Sequence, residues 1–202
     1  MNSQITNKFQ LNFFEFDHGF CESKFFSGHP EYLNVISSLL MLLLTIGKTD
    51  NLIFCLRING ISSMLYHYYG TIGFGIIDRA SMISVAISAY DLLSINNKLS
   101  KVHILSMIVS LSLHNETLFN NMFGIFLFVM YYYTRKFTNG GKILLFSAVI
   151  WMISELYICN IFTFYFHFFW HILCGFSVRV IINDYHKFLS KNNFVEINNF
   201  TV

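Results

Sequence analysis

His167-Phe168-Phe169-Trp170-His171 lies inside the last long apolar run of this 202-residue chain, and its reading decides the fold. On a helix, residues i and i+4 share a face about one turn apart. Both imidazoles then project to one side, at the spacing two histidines need to bind one metal ion from a single helix. The composition around the pair points to lipid. Hydrophobic residues make up 54% of the chain and charged residues 12%, about half the charged fraction usual for a soluble domain. Phe occurs 24 times and Pro once. The expected fold is an all-α membrane protein, a seven-transmembrane helical bundle with an intramembrane zinc site.

Working outward from that run, apolar stretches place spans at roughly 32–47, 52–69, 71–93, 102–114, 118–134, 142–158 and 161–182. The first is near the lower limit of about 17 residues for crossing a bilayer. The short links make sequential helices antiparallel neighbours. Domain organisation follows as an N-terminal tail over 1–31, one membrane domain over 32–183 and a C-terminal tail over 184–202. The net charge of +2 is too small to suggest nucleic acid. Cys21, Cys55, Cys159 and Cys174 form no CxxC pair, which argues against a thiolate zinc site. No basic stretch precedes an apolar region at the N-terminus, so no cleavable signal peptide is expected, and the first span serves as the membrane address.

Lysine and arginine set the orientation. Lys48, Lys98, Lys101, Arg135, Lys136, Lys142, Lys187 and Lys191 fall on one face, against Lys8 and Lys24 on the other. The basic face is expected in the cytoplasm with the C-terminus, and the N-terminus is expected to be lumenal or extracellular, in an endomembrane or the plasma membrane. The sequon Asn115-Glu116-Thr117 then falls on the lumenal side.

Ionisable groups inside spans are costly and mark function. His67, Asp78, His167 and His171 all fall toward the lumenal leaflet. Ser63 and His67 share a helix face at i and i+4. Three histidines with an open fourth position make a catalytic zinc site. Asp78 is then placed to orient water or relay its proton, and Ser63 to donate to an oxyanion. His103, His114 and His186 read as interhelical or interfacial groups, and Asp91 and Glu155 as structural acids. Asp78 beside Arg79 also admits a plain ion pair.

This constellation resembles the alkaline ceramidases, within the CREST superfamily of membrane hydrolases and adiponectin-type receptors. The superfamily pattern Ser-x3-His, Asp, His-x3-His is matched by Ser63/His67, Asp78 and His167/His171. Gly60-Ile61-Ser62-Ser63-Met64-Leu65-Tyr66-His67 is similar to the family's G-x-G-S-x-x-F-H, and the gap from His67 to Asp78 matches its spacing. His167 through Leu173 resembles H-A-W-W-H-I-L, Phe20-Cys21-Glu22 resembles W-C-E, and Glu31 with Asn34 resembles an E-x-x-N that opens the first helix. The resemblance implies seven helices, zinc on His67, His167 and His171, and hydrolysis of the ceramide amide to sphingoid base and fatty acid. It also implies an N-terminal calcium site, of which Asp17, Glu22 and Glu31 remain. Gly19 and Lys24 depart from that cluster, and a lysine there argues against bound calcium. Arg79-Ala80-Ser81-Met82 departs from the family after Asp78.

The expected substrate partner is a ceramide-like membrane lipid. Its amide reaches the metal through a cavity open to lipid, walled by Phe126, Phe164 and Phe168 and capped by Glu22. Cys21 and Cys159 fall on the oxidising side, where disulfides persist, and Cys159 follows Trp151 at about the family's Trp…Cys spacing. A Cys21–Cys159 disulfide is expected, against two free thiols; Cys55 and Cys174 are expected to stay reduced. The alternatives are another CREST hydrolase, such as a phospholipase A2-like acyl hydrolase, or a non-catalytic heptahelical receptor or scaffold.

Overall fold

Turn chemistry cuts the apolar sequence into helices. In the computed structural model, which describes residues 15, 21–25, 30–95, 97–160 and 162–199, a short helix α1 (Cys21–Phe25) precedes α2 (Tyr32–Leu44), α3 (Asn51–Tyr69), α4 (Ile72–Leu92), α5 (Lys98–Ser112), α6 (Glu116–Thr134), α7 (Gly140–Leu156) and α8 (Phe166–Asn199). No strand occurs among the described residues. Gly70 ends α3 at φ 62, a left-handed cap that costs glycine nothing. Asn97 opens α5 with a capping box: its side chain accepts from the Ser100 amide, and Ser100 Oγ accepts from the Asn97 amide. Asn115, the sequon residue, caps α6 by accepting from Leu118 N.

Each of the helices α2 to α8 packs on its neighbours in sequence, and α8 returns to pack on α2. The result is a closed ring. Close approach of α8 depends on two glycines. A Cβ on Gly140 would lie 2.7 Å from Ile181 Cγ1 and 2.9 Å from the Ser177 carbonyl oxygen, and one on Gly175 would lie 3.2 Å from Met41 Cα. Small residues at such crossings let helix backbones meet. Inside the ring, α3 makes a further contact with α8, and that contact carries the histidines. The outer face stays apolar: Leu39, Leu105, Phe128 and Phe146 are all exposed.

Two helical segments, Ile72–Leu92 and Tyr165–Lys191, are long and apolar enough to cross a membrane, and Tyr32–Leu44 is a shorter apolar helix. Seven such segments were expected. Of the remaining ones, α2, α5 and α7 fall short in length, with 13, 15 and 17 residues against the roughly 20 a straight crossing takes. By contrast α3 and α6, at 19 residues each, fall short in hydropathy, because polar residues such as Arg57 and Asn59 on α3 and Asn120 and Asn121 on α6 dilute their apolar runs. Three boundaries also differ. The fifth helix begins earlier than 102, at the Asn97 cap. The last begins later than 161, because Asn160 Oδ1 accepts from Phe162 N and Thr163 N and holds a turn there. It also continues to Asn199, so most of the expected C-terminal tail is helix.

Cys21 and Cys159 are joined by a disulfide with Cα atoms 5.6 Å apart and a sequence separation of 138. A loop of that order removes about 4–5 kcal/mol of unfolded-chain entropy in the loop-closure account. It ties α1 to the link after α7. Cys55 and Cys174 are free thiols.

Candidate metal centre

His67 comes from the last turn of α3, and His167 and His171 from the first turns of α8. All three are buried, and one ligand atom from each lies within 4.8 Å of the others. A loaded tetrahedral site with bonds of about 2.0–2.1 Å needs roughly 3–4 Å, so the three rings would close inward slightly to hold an ion. Helix periodicity pairs His167 with His171, and the expected third ligand, His67, comes from a different helix. The α3–α8 crossing adds His67, with ring centroids 4.8 Å from His167 and 5.2 Å from His171.

The protons on these rings follow from their partners. His67 Nδ1 lies 2.5 Å from Glu31 Oε2, and His167 Nδ1 lies 3.2 Å from Glu155 Oε1. A carboxylate accepts, so each Nδ1 donates. His171 Nδ1 lies 2.8 Å from Ser37 Oγ. That hydroxyl already donates to the Asn34 carbonyl at 3.0 Å, so it accepts from His171. With Nδ1 of each ring committed to these partners, Nε2 is the atom left to face a metal, and a hydrogen-bonding partner fixes each ring. The donor set fits a metal ion, and three imidazoles suit zinc among others.

Glu31 and Glu22 have exchanged the roles that their positions suggest. Glu31 is the N-cap residue of α2, yet its side chain makes no cap bond; it turns to His67. Glu22 supplies the cap, accepting from Leu33 N at 2.8 Å and Asn34 N at 3.0 Å. Burial pushes the Glu22 carboxyl above its ordinary range, and the two amides oppose that shift. Glu22, expected to contact a lipid head group, is committed to helix capping, since a buried carboxylate is stable only when hydrogen-bonded. Of the calcium triplet, Glu22 and Glu31 serve these other partners, and Asp17 lies outside the described residues.

Ser63, Asp78, His167 and His171 line one cavity of about 170 Å³. Asp78 Oδ1 accepts from Asn59 Nδ2 at 3.1 Å and Ser62 Oγ at 3.3 Å. Ser63 Oγ lies 3.4 Å from His171 Nε2. Arg79 pairs with Glu116 on α6 at 2.5 Å rather than with its neighbour Asp78. Of the expected aromatic walls, Phe126 lines the cavity; Phe164 and Phe168 are not among its lining residues, and Trp151 and Trp170 stand there instead. The two indoles stack with centroids 5.5 Å apart. His103 is held between Tyr90 OH and the Met122 carbonyl, away from the centre.

Glu155, read from sequence as structural, is in contact with a candidate ligand. The signal was present: it is an acid inside an expected span, at the depth of the histidines. Ser37, Asn59 and Ser62 carried no such signal, since small polar residues are common in helices. No family model, curated protein or solved structure matches the chain.

Glu31→Gln keeps the side chain's size and removes its charge from His67. The expected result is a 10–100-fold loss of metal affinity, the usual effect of removing such a partner, measured by competition with a chelator. Unchanged affinity would show that Glu31 does no more than fill space.

Proposed function

We propose that the chain is a seven-span membrane protein holding zinc on His67, His167 and His171, and that it is a zinc-dependent, ceramidase-like amidase releasing sphingoid base and fatty acid. The observation that carries this reading is the shape of the cavity. Its polar groups gather at the histidine end, while Leu52, Ala89, Met130, Leu144 and Val178 line the rest. Asp78 and Ala89 both lie on α4, three turns apart, about 16 Å at 1.5 Å per residue. That is a slot for an acyl chain with its carbonyl at the metal, apolar throughout except for a few convergent groups. The buried Trp151 indole N–H in the wall has no hydrogen-bond partner among the described residues, which suits a ligand carrying an acceptor. The apolar outer face and the clustering of Lys48, Lys98, Arg135 and Lys136 at one end of the ring support the membrane reading and its orientation.

A zinc ion held there supplies Lewis acidity toward the scissile carbonyl. Asp78 Oδ1 is fixed by Asn59 and Ser62, which leaves Oδ2 to accept a proton from the attacking water. As the water oxygen bonds to carbon and the carbon–nitrogen bond breaks, that proton passes from Oδ2 to the leaving nitrogen. The Ser63 hydroxyl donates to the carbonyl oxygen as charge develops on it. The aromatic pair Trp151 and Trp170 keeps bulk water out of the slot.

The test is hydrolysis by purified protein, with and without chelator. Free sphingoid base from ceramide, lost with chelator and restored by zinc, is the expected result. Lysophospholipid from a phospholipid instead would move the activity to an acyl ester hydrolase. Zinc-loaded protein inert on both lipids would overturn the enzyme reading in favour of a receptor or scaffold.

A further inference from the structure

Two carboxylates touch the metal-binding rings, and both are reached from the same two residues of the N-terminal segment. Glu155 divides its oxygens. Oε1 accepts from His167 Nδ1, and Oε2 accepts from the Cys21 amide at 2.8 Å. Its side chain is only 10% exposed, so each of these bonds compensates a buried charge that would otherwise be costly. Cys21 is held in place by its disulfide to Cys159, three residues beyond the end of α7. The next residue, Glu22, caps α2 through Leu33 N and Asn34 N, which leaves Glu31 to turn to His67. The Glu31 amide also donates to the His67 carbonyl at 3.0 Å. Cys21 and Glu22 are 0% and 3% exposed, so neither arm is a surface contact that water would screen.

We infer that Glu155 is the positioning residue for His167, and that the disulfide-held Cys21–Glu22 pair braces Glu155 and Glu31 as the outer support of the metal centre. This rests on the reading of the three histidines as metal ligands, and it is independent of which lipid, if any, is hydrolysed. An imidazole bound to a cation through Nε2 becomes more acidic at Nδ1, so a carboxylate there strengthens the bond and fixes the ring. Glu155 can do so only while its second oxygen is anchored, and the Cys21 amide is the anchor. Glu22 acts one step further out, on the helix start that presents Glu31. Metal affinity therefore depends on a disulfide that touches no ligand.

The experiment is titration of purified full-length protein with cobalt(II) against a competing chelator, read by cobalt d–d absorption, for the wild type, Glu155→Gln and the Cys21→Ser/Cys159→Ser double variant. The metal-free melting temperature of each is measured alongside. Glu155→Gln is expected to weaken cobalt binding 10–100-fold and to shift the absorption bands, with the metal-free melting temperature close to that of the wild type. The double variant is expected to weaken binding in the same direction by a smaller factor, and so is reductant applied to the wild type. Wild-type affinity and spectrum in Glu155→Gln would overturn the positioning role. Wild-type affinity in the double variant would overturn the bracing role of the N-terminal pair. A wild type that takes up no cobalt would overturn the metal centre itself, and this assignment with it.

Discussion

His171→Ala is expected to empty the metal centre and abolish hydrolysis. Removing a hydrogen-bonding partner of a ligand costs about 10–100-fold in affinity, and removing the ligand itself costs more, since two imidazoles remain where three are needed for a site with one open position. His171 is also the ring that ties the centre to α2, through Ser37 at 2.8 Å and Ser38 at 3.3 Å. Both hydroxyls keep their bonds to the Asn34 carbonyl without it, so the loss falls on the metal rather than on the α2–α8 packing. Elemental analysis of purified protein checks this: about one zinc per wild-type chain and almost none in the variant. Stoichiometric zinc in His171→Ala would remove this residue from the ligand set.

Asp78→Asn separates chemistry from binding. The side chain touches no candidate ligand, and its Oδ1 is held by Asn59 and Ser62. An asparagine carbonyl accepts both of those bonds, so the cavity wall and the bound metal persist. What disappears is the oxygen proposed to take and return a proton. General acid–base groups contribute about 10²–10⁴-fold, so turnover is expected to fall by at least 10²-fold with zinc content unchanged. Turnover within a few-fold of wild type would exclude Asp78 from proton transfer. Loss of zinc in this variant would instead make Asp78 part of the metal site.

Several features of the site were legible because they are local. Ser63 with His67, and His167 with His171, share faces by helix periodicity alone. The expected topology put His67, Asp78, His167 and His171 toward one leaflet before any packing was known. The expected disulfide partners, Cys21 and Cys159, also belong to that side. Glu22 was legible as a residue of the site's rim but not in its role. Whether a carboxylate faces a ligand or a helix start depends on a few ångströms of chain path between Cys21 and Tyr32.

Sequence by itself determined an all-helical, strongly apolar chain and the histidine spacing. These follow from composition and from the 3.6-residue period, which map neighbours in sequence onto one helix face. The resemblance implied that His67 joins the other two histidines, and the structure brings the three together; tertiary structure alone decided that Glu155 and Glu31 hold their rings and that Glu22 caps α2 in place of Glu31. It also decided that Arg79 turns to Glu116 and leaves Asp78 to Asn59 and Ser62. Each of these pairs joins different elements, and the Cys21 amide that anchors Glu155 lies 134 residues away from it in sequence. Their geometry is set by the close crossings of α8 with α2 and α7 and by the closure of the ring, which no local period encodes.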